Sequence, residues 1–151
     1  MILQMSWDSE ARTIWKETIQ ITRQRGLYYV DSYQLFLAIL CEQGVVTRAI
    51  ERVIFESRGF FLIDLHGLIG QYAGKGRATL YEGNEISPEL EAIIMGAMCV
   101  AAVDGLIQAG PEHLMWAIFN QKGSLAKILA ECGLEPSSFD YAKRILENRH
   151  G

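Results

Sequence analysis

The sequence predicts an all-α fold, with eight helices arranged as two pseudo-equivalent four-helix repeats in one compact domain. Three observations predict it. Apolar residues recur at helical spacing in almost every segment, and no stretch shows two-residue alternation flanked by turn residues. Helix start and stop signals divide the chain at regular places. The chain also matches itself when Gly26 is set on Gly105, a displacement of 79 residues. In that frame Glu10 falls on Glu89, Ile14 on Ile93, Leu35 on Leu114, Ala38 on Ala117, Gly44 on Gly123, Glu56 on Glu135 and Phe60 on Phe139.

In the first copy (about 7–72), Asp8-Ser9 caps a helix to Arg25, and Asp31-Ser32 caps one through Cys41. A third helix is predicted from about Val46 to Phe55 and a fourth from about Phe60 to Tyr72. The glycines and charges of 73–85 read as an exposed connector. The second copy (about 86–148) opens on Ser87-Pro88-Glu89, which combines a capping hydroxyl, a proline at the first helical position and an acid at the positive end of the dipole. That helix runs to Val103 and stops at Gly105. Its residues 92–103 are apolar nearly all round, which places it at the centre of the core. Gly110-Pro111-Glu112 opens a helix to about Asn120. Ser124 caps another through Glu131 with Gly133 as its stop, and the last follows Glu135-Pro136 to about Asn148.

The 151 residues are 50% hydrophobic with three prolines, which excludes a disordered tail or a flexible linker. The net charge of −4 falls entirely in residues 76–151, which hold six basic and ten acidic side chains. With no cluster of Lys or Arg, the chain lacks the electrostatic footprint of a nucleic-acid binder, and a cationic partner suits its second half. Cys41, Cys99 and Cys132 form no CxxC pair and sit among apolar residues, so they read as buried free thiols of a reducing compartment. No signal peptide or membrane span is visible, and a cytoplasmic protein is expected.

No constellation for catalysis emerges. Gly70-Gln71-Tyr72-Ala73-Gly74-Lys75-Gly76 has three residues between its first glycines where a Walker A loop needs four, and glycine where that loop needs Ser or Thr. His66, His113 and His150 are scattered and pair with no nucleophile or metal-ligand partner. A non-enzyme with no metal and no cofactor is expected. Two features suit recognition instead. Glu112-His113 offers a carboxylate for a guanidinium or ammonium group, although Glu112 could equally stabilise its helix start while His113 packs between helices. Tyr28, Tyr29 and Tyr33 crowd a link too short to bury all three, so some are expected on an amphipathic surface that binds a protein or peptide.

The run from Gly110 to Phe119, Gly-Pro-Glu-His-Leu-Met-Trp-Ala-Ile-Phe, resembles the Clp N-terminal repeat, whose signature is a small residue, Glu-His and then an apolar run. The first copy keeps the apolar run from Leu35 to Leu40 but has Tyr33-Gln34 where Glu-His is usual. The resemblance spans about 7–147. It implies a double-repeat domain that captures substrate proteins or docks adaptors for a Clp/Hsp100 AAA+ unfoldase, without catalysis of its own. One branch of the family offers a carboxylate from each copy to phosphoarginine-marked substrates. Those positions are Tyr33 and Glu112 here, so only the second copy keeps the acid and the first carries an aromatic pocket in its place. Another branch grips a partner helix in an apolar groove. A free-standing regulator that docks on an unfoldase and a helical bundle for a small molecule stand as alternatives.

Overall fold

Short polar side chains begin three of the helices, at Asp8, Asp31 and Ser87, and left-handed glycines follow four of them, at Gly26, Gly59, Gly105 and Gly133. The structure is a computed structural model that describes residues 7–27, 29–73 and 86–150, the side chains of 149 and 150 excepted. Among these, α1 (Ser9–Gln24) starts at Asp8, whose Oδ1 accepts from the Ala11 N–H at 2.8 Å. At the start of α2 (Ser32–Cys41) the Asp31 N–H donates to Gln34 Oε1 at 2.7 Å. α3 (Val45–Arg58) and α4 (Leu62–Ala73) complete the first set. α5 (Pro88–Val103) starts at Ser87, whose Oγ accepts from the Leu90 N–H at 3.1 Å. α6 (Pro111–Gln121), α7 (Ser124–Glu131) and α8 (Pro136–His150) follow. Gly26 and Gly105 end α1 and α5 with φ of 67° and 77°, which glycine adopts without Cβ strain. The next N–H groups then close equivalent bonds, Leu27 to the Thr22 carbonyl at 3.1 Å and Leu106 to the Ala101 carbonyl at 2.9 Å.

The two sets of helices are joined by a pair of crossed bridges. Trp7 pairs with Ala109 and Val30 with Ile86, and the Asp8 N–H donates to the Ala109 carbonyl at 2.9 Å while the Ser87 N–H donates to the Val30 carbonyl at 2.8 Å. Each bridge is the other with the copies exchanged, which makes the relation between them two-fold. These short bridges are the β-structure among the described residues. The equivalence reaches side chains as well. Gly44 and Gly123, the N-caps of α3 and α7, supply no capping oxygen, and in both places a glutamate (Glu10 or Glu89) brings its carboxylate against the glycine. That negative charge faces the positive end of a helix.

Three expectations need correction. The first concerns the frame beyond the third helix: α3 has 14 residues and α7 has 8. The first three helices of each set start 79 residues apart, but Leu62 and Pro136 start the fourth pair 74 apart. Leu65 is therefore the counterpart of Phe139, both fully buried, while Phe60 lies half-buried at the rim of the core.

The second concerns α5. The central helix is α2, whose residues Leu35 to Leu40 are all buried. α5 buries Leu90, Ile93, Ile94, Ala97 and Ala101 and leaves its opposite face open, because no described element packs over it. Third, only Cys132 is buried. Cys41 and Cys99 are exposed, Cys99 on that open face of α5. Residues 74–85, which hold most of the expected connector, lie outside the described residues.

Candidate functional site

Tyr33 stands in the first turn of α2 and reaches across to the second set of helices. Its hydroxyl shares a hydrogen bond with Ser124 Oγ at the start of α7, and its ring stacks on Tyr72 of α4 with centroids 5.9 Å apart and 20° between planes. Burial raises its phenol above the ordinary value; the Ser124 bond works against this, and the carboxylates of Glu89 and Asp31 add to it. Tyr72 itself is exposed. Tyr29 is half-buried, and its phenol is raised by burial and then by Asp31. Tyr28 lies outside the described residues.

The Glu112-His113 pair divides between surface and interior. His113 is buried: its Nδ1 accepts from the Gly110 N–H at 2.8 Å, which leaves the proton on Nε2, 3.4 Å from Asp104 Oδ2 at the end of α5. It thus closes the start of α6 as Gln34 closes that of α2, at the equivalent position of the other copy. Glu112 points outward, half-exposed, with Lys143 Nζ of α8 at 3.0 Å; the same ammonium lies 3.0 Å from Glu147. Burial would lower Lys143, but Glu147 and Glu112 outweigh it and the group is raised. A cation that sought Glu112 would compete with Lys143 for it. Tyr33 and Glu112 occupy equivalent places at two starts of helices and do not meet.

The structure adds a site that the sequence reading missed. A groove of about 530 Å³ runs along α1, lined by Trp15, Lys16, Ile19, Gln20 and Arg23. Trp15 and Ile19 are half-buried and packed on the core, while Lys16, Gln20 and Arg23 are exposed. Trp15 is braced edge-on by the buried Trp7, with centroids 5.3 Å apart and planes at 88°. The signal was present in the sequence: beside the core positions Ile14, Thr18 and Ile21, α1 carries a second apolar pair at i, i+4 spacing, Trp15 and Ile19. Among the described residues the lining belongs to one helix, and the space is open to solvent along it. Among the described residues no His, Cys, Asp or Glu side chains group as a metal site, and no helix is long and apolar enough to cross a membrane.

No protein-family model matches the sequence, and no curated protein matches it. Solved structures do. The N-terminal domain of Hsp104 from Candida albicans is 12% identical, with 94% of this chain and 91% of that one covered at a TM-score of 0.71. The N-terminal domain of the caseinolytic protease associated chaperone ClpD from Arabidopsis thaliana is 13% identical, with 100% and 98% covered and a TM-score of 0.68. The N-terminal domain of the ClpV1 ATPase from E. coli is 13% identical, with 97% and 88% covered and a TM-score of 0.69. The chain therefore has the all-α double-repeat fold of the Clp/Hsp100 N-terminal domains.

Proposed function

We propose that the chain is a non-catalytic protein-recognition domain that takes up segments of substrate or adaptor proteins for a Clp/Hsp100 AAA+ unfoldase. The observation that carries this reading is the trough along α1. Its floor of Trp15 and Ile19 offers apolar contact, and Lys16 and Arg23 on its edge favour peptides that carry acids beside their apolar anchors. Its open shape suits an extended or helical segment laid along α1 better than an enclosed small molecule. Glu112, shared with Lys143 at the start of α6, and the stack of Tyr33 at the start of α2 on Tyr72 near the end of α4 serve as further contacts. His113 acts from beneath, by fixing the turn that presents Glu112. The work requires no cofactor, nucleic acid or membrane. Its proposed setting is the cytoplasm, where the exposed Cys41 and Cys99 stay reduced.

The test is an array of peptides from unfolded proteins, probed with the purified chain, with Lys16→Glu/Arg23→Glu and with Glu112→Gln. Acidic-apolar peptides are expected to bind the wild type and to be lost with the double charge reversal. If the wild type bound no peptide but bound an isolated AAA+ ring, a docking regulator would replace substrate capture.

A further inference from the structure

The two-fold relation between the copies provides an internal control for the surface of the molecule. In α1 the outward residues are Arg12, Thr13, Lys16, Gln20, Arg23 and Gln24, all exposed and all polar. Their counterparts in α5, 79 residues on, are Glu91, Ala92, Met95, Cys99, Ala102 and Val103, all exposed as well. Apart from Glu91, exposed positions that are polar in one copy are thus apolar in the other. The apolar stripe continues past the helix end through Leu106 and Ile107. Met95, Val103, Leu106 and Ile107 are 55%, 86%, 50% and 94% exposed, so large apolar side chains stand open along α5 and just past its end.

The stripe has direction and charge. Ala92, Met95, Cys99 and Ala102 follow alternating steps of three and four, the seam spacing by which one helix lies along another at a shallow angle. Residues 78–121 hold six acids and neither Lys nor Arg. The charges beside the stripe are accordingly acidic: Glu91 at one end and Asp104 at the other. An anionic lipid surface is a poor match, since amphipathic faces that bind one are edged with Lys and Arg. A second copy laid on the same face would set acid against acid.

We infer that the open face of α5, from Ala92 to Ile107, is a docking surface for a cationic amphipathic helix of a partner protein. Apolar side chains of that helix lie on Met95, Cys99, Ala102 and Val103, and its Lys or Arg residues flank Glu91 and Asp104. The seam is about 20 Å long, which takes about four turns of partner helix. This surface is separate from the α1 trough and selects the opposite charge, so the two readings can fail independently.

The test uses a synthetic helical peptide of about 16 residues with leucines on one face and lysines at its flanks, and a control with glutamates in place of the lysines. The variant Met95→Lys/Cys99→Gln/Ala102→Arg gives α5 the side chains that α1 already carries at equally exposed positions, and its circular dichroism and melting curve check that it folds. The lysine peptide is expected to bind the wild type, to lose at least about tenfold in affinity to the triple variant, and to weaken several-fold with Glu91→Gln or on raising salt to about 0.5 M. Lys16→Glu/Arg23→Glu should leave it unchanged. Equal binding of the two peptides, unchanged binding by the triple variant, concentration-dependent self-association through this face, or binding to anionic vesicles that the triple substitution abolishes would each overturn the proposal.

Discussion

Gly110→Ala tests the crossed joint between the copies. Gly110 has φ −111° and ψ −176°, extended values open to alanine, so backbone strain plays no part. A Cβ built there would stand 2.6 Å from Asp8 Oδ2 and 3.5 Å from its Cγ. Asp8 cannot yield freely, because its other oxygen accepts from the Ala11 N–H at 2.8 Å to cap α1. At the equivalent place in the other half, Ser87 Oγ donates to Asp31 Oδ1 at 2.7 Å, so side chains fill there the room that glycine leaves here. The substitution should therefore cost the usual loss for alanine at an N-cap, about 0.5–1 kcal/mol, and in addition the displaced Asp8 cap, about 1 kcal/mol. Gly44→Ala measures the first loss alone, since its Cβ would lie 3.4 Å from Glu10 Oε2, close to ordinary contact. Urea unfolding followed by tryptophan fluorescence and circular dichroism gives both values, and each 1 kcal/mol lowers Tm by about 2–4 °C. In an Asp8→Ala background the excess cost of Gly110→Ala should vanish. Equal costs for the two glycines, or an unchanged cost without Asp8, would refute the reasoning.

Phe139→Ala should cost about 3–5 kcal/mol and Phe60→Ala only about 1 kcal/mol, because Phe139 is fully buried and Phe60 half-exposed; equal losses by urea unfolding would restore their equivalence. Burial, then the Asp31 carboxylate, raises Glu89 above the ordinary glutamate value. The folded state thus holds this proton more tightly than the unfolded one, and the contribution of this group to stability falls as pH rises from the unfolded value through the folded one. Glu89→Gln should flatten that part of the slope in urea midpoints taken from about pH 4 to 7, and a wild-type slope in the variant would contradict it. A thiol-reactive chromophore should label Cys41 and Cys99 in the folded protein and Cys132 only after unfolding; one fast-reacting thiol, or three, would count against the assigned burial.

The local grammar of the helices was legible in the sequence because it is written in few residues: Asp8, Asp31 and Ser87 as caps, Gly26 and Gly105 as left-handed stops, and Pro88 and Pro111 in first turns. Packing was harder to read. The apolar run of α5 was assigned to the core because periodicity counts apolar faces but does not reveal whether another element covers each one. The frame from Glu56/Glu135 to Phe60/Phe139 rested on residue identity, and the different lengths of α3 and α7 moved those residues onto unlike positions. At the site, Glu112 and Tyr33 were identifiable by kind, but their partners Lys143, Ser124 and Tyr72 lie far along the chain and are joined to them only by folding. The α1 trough was missed because Trp15 and Ile19 resemble ordinary core residues until the ring of Trp7 fixes where they face.

The bridges Trp7–Ala109 and Val30–Ile86 make each half the template for the other. A chain severed within 74–85 should reassemble from its two fragments, and neither fragment alone should hold its helices, because the edge that receives each opening segment belongs to the opposite fragment. The same geometry is that of a closed two-fold homodimer built from half-length chains. Carried on one chain, the halves need not be identical, and exposed positions that hold Lys16, Gln20 and Arg23 in α1 hold Met95, Cys99 and Ala102 in α5.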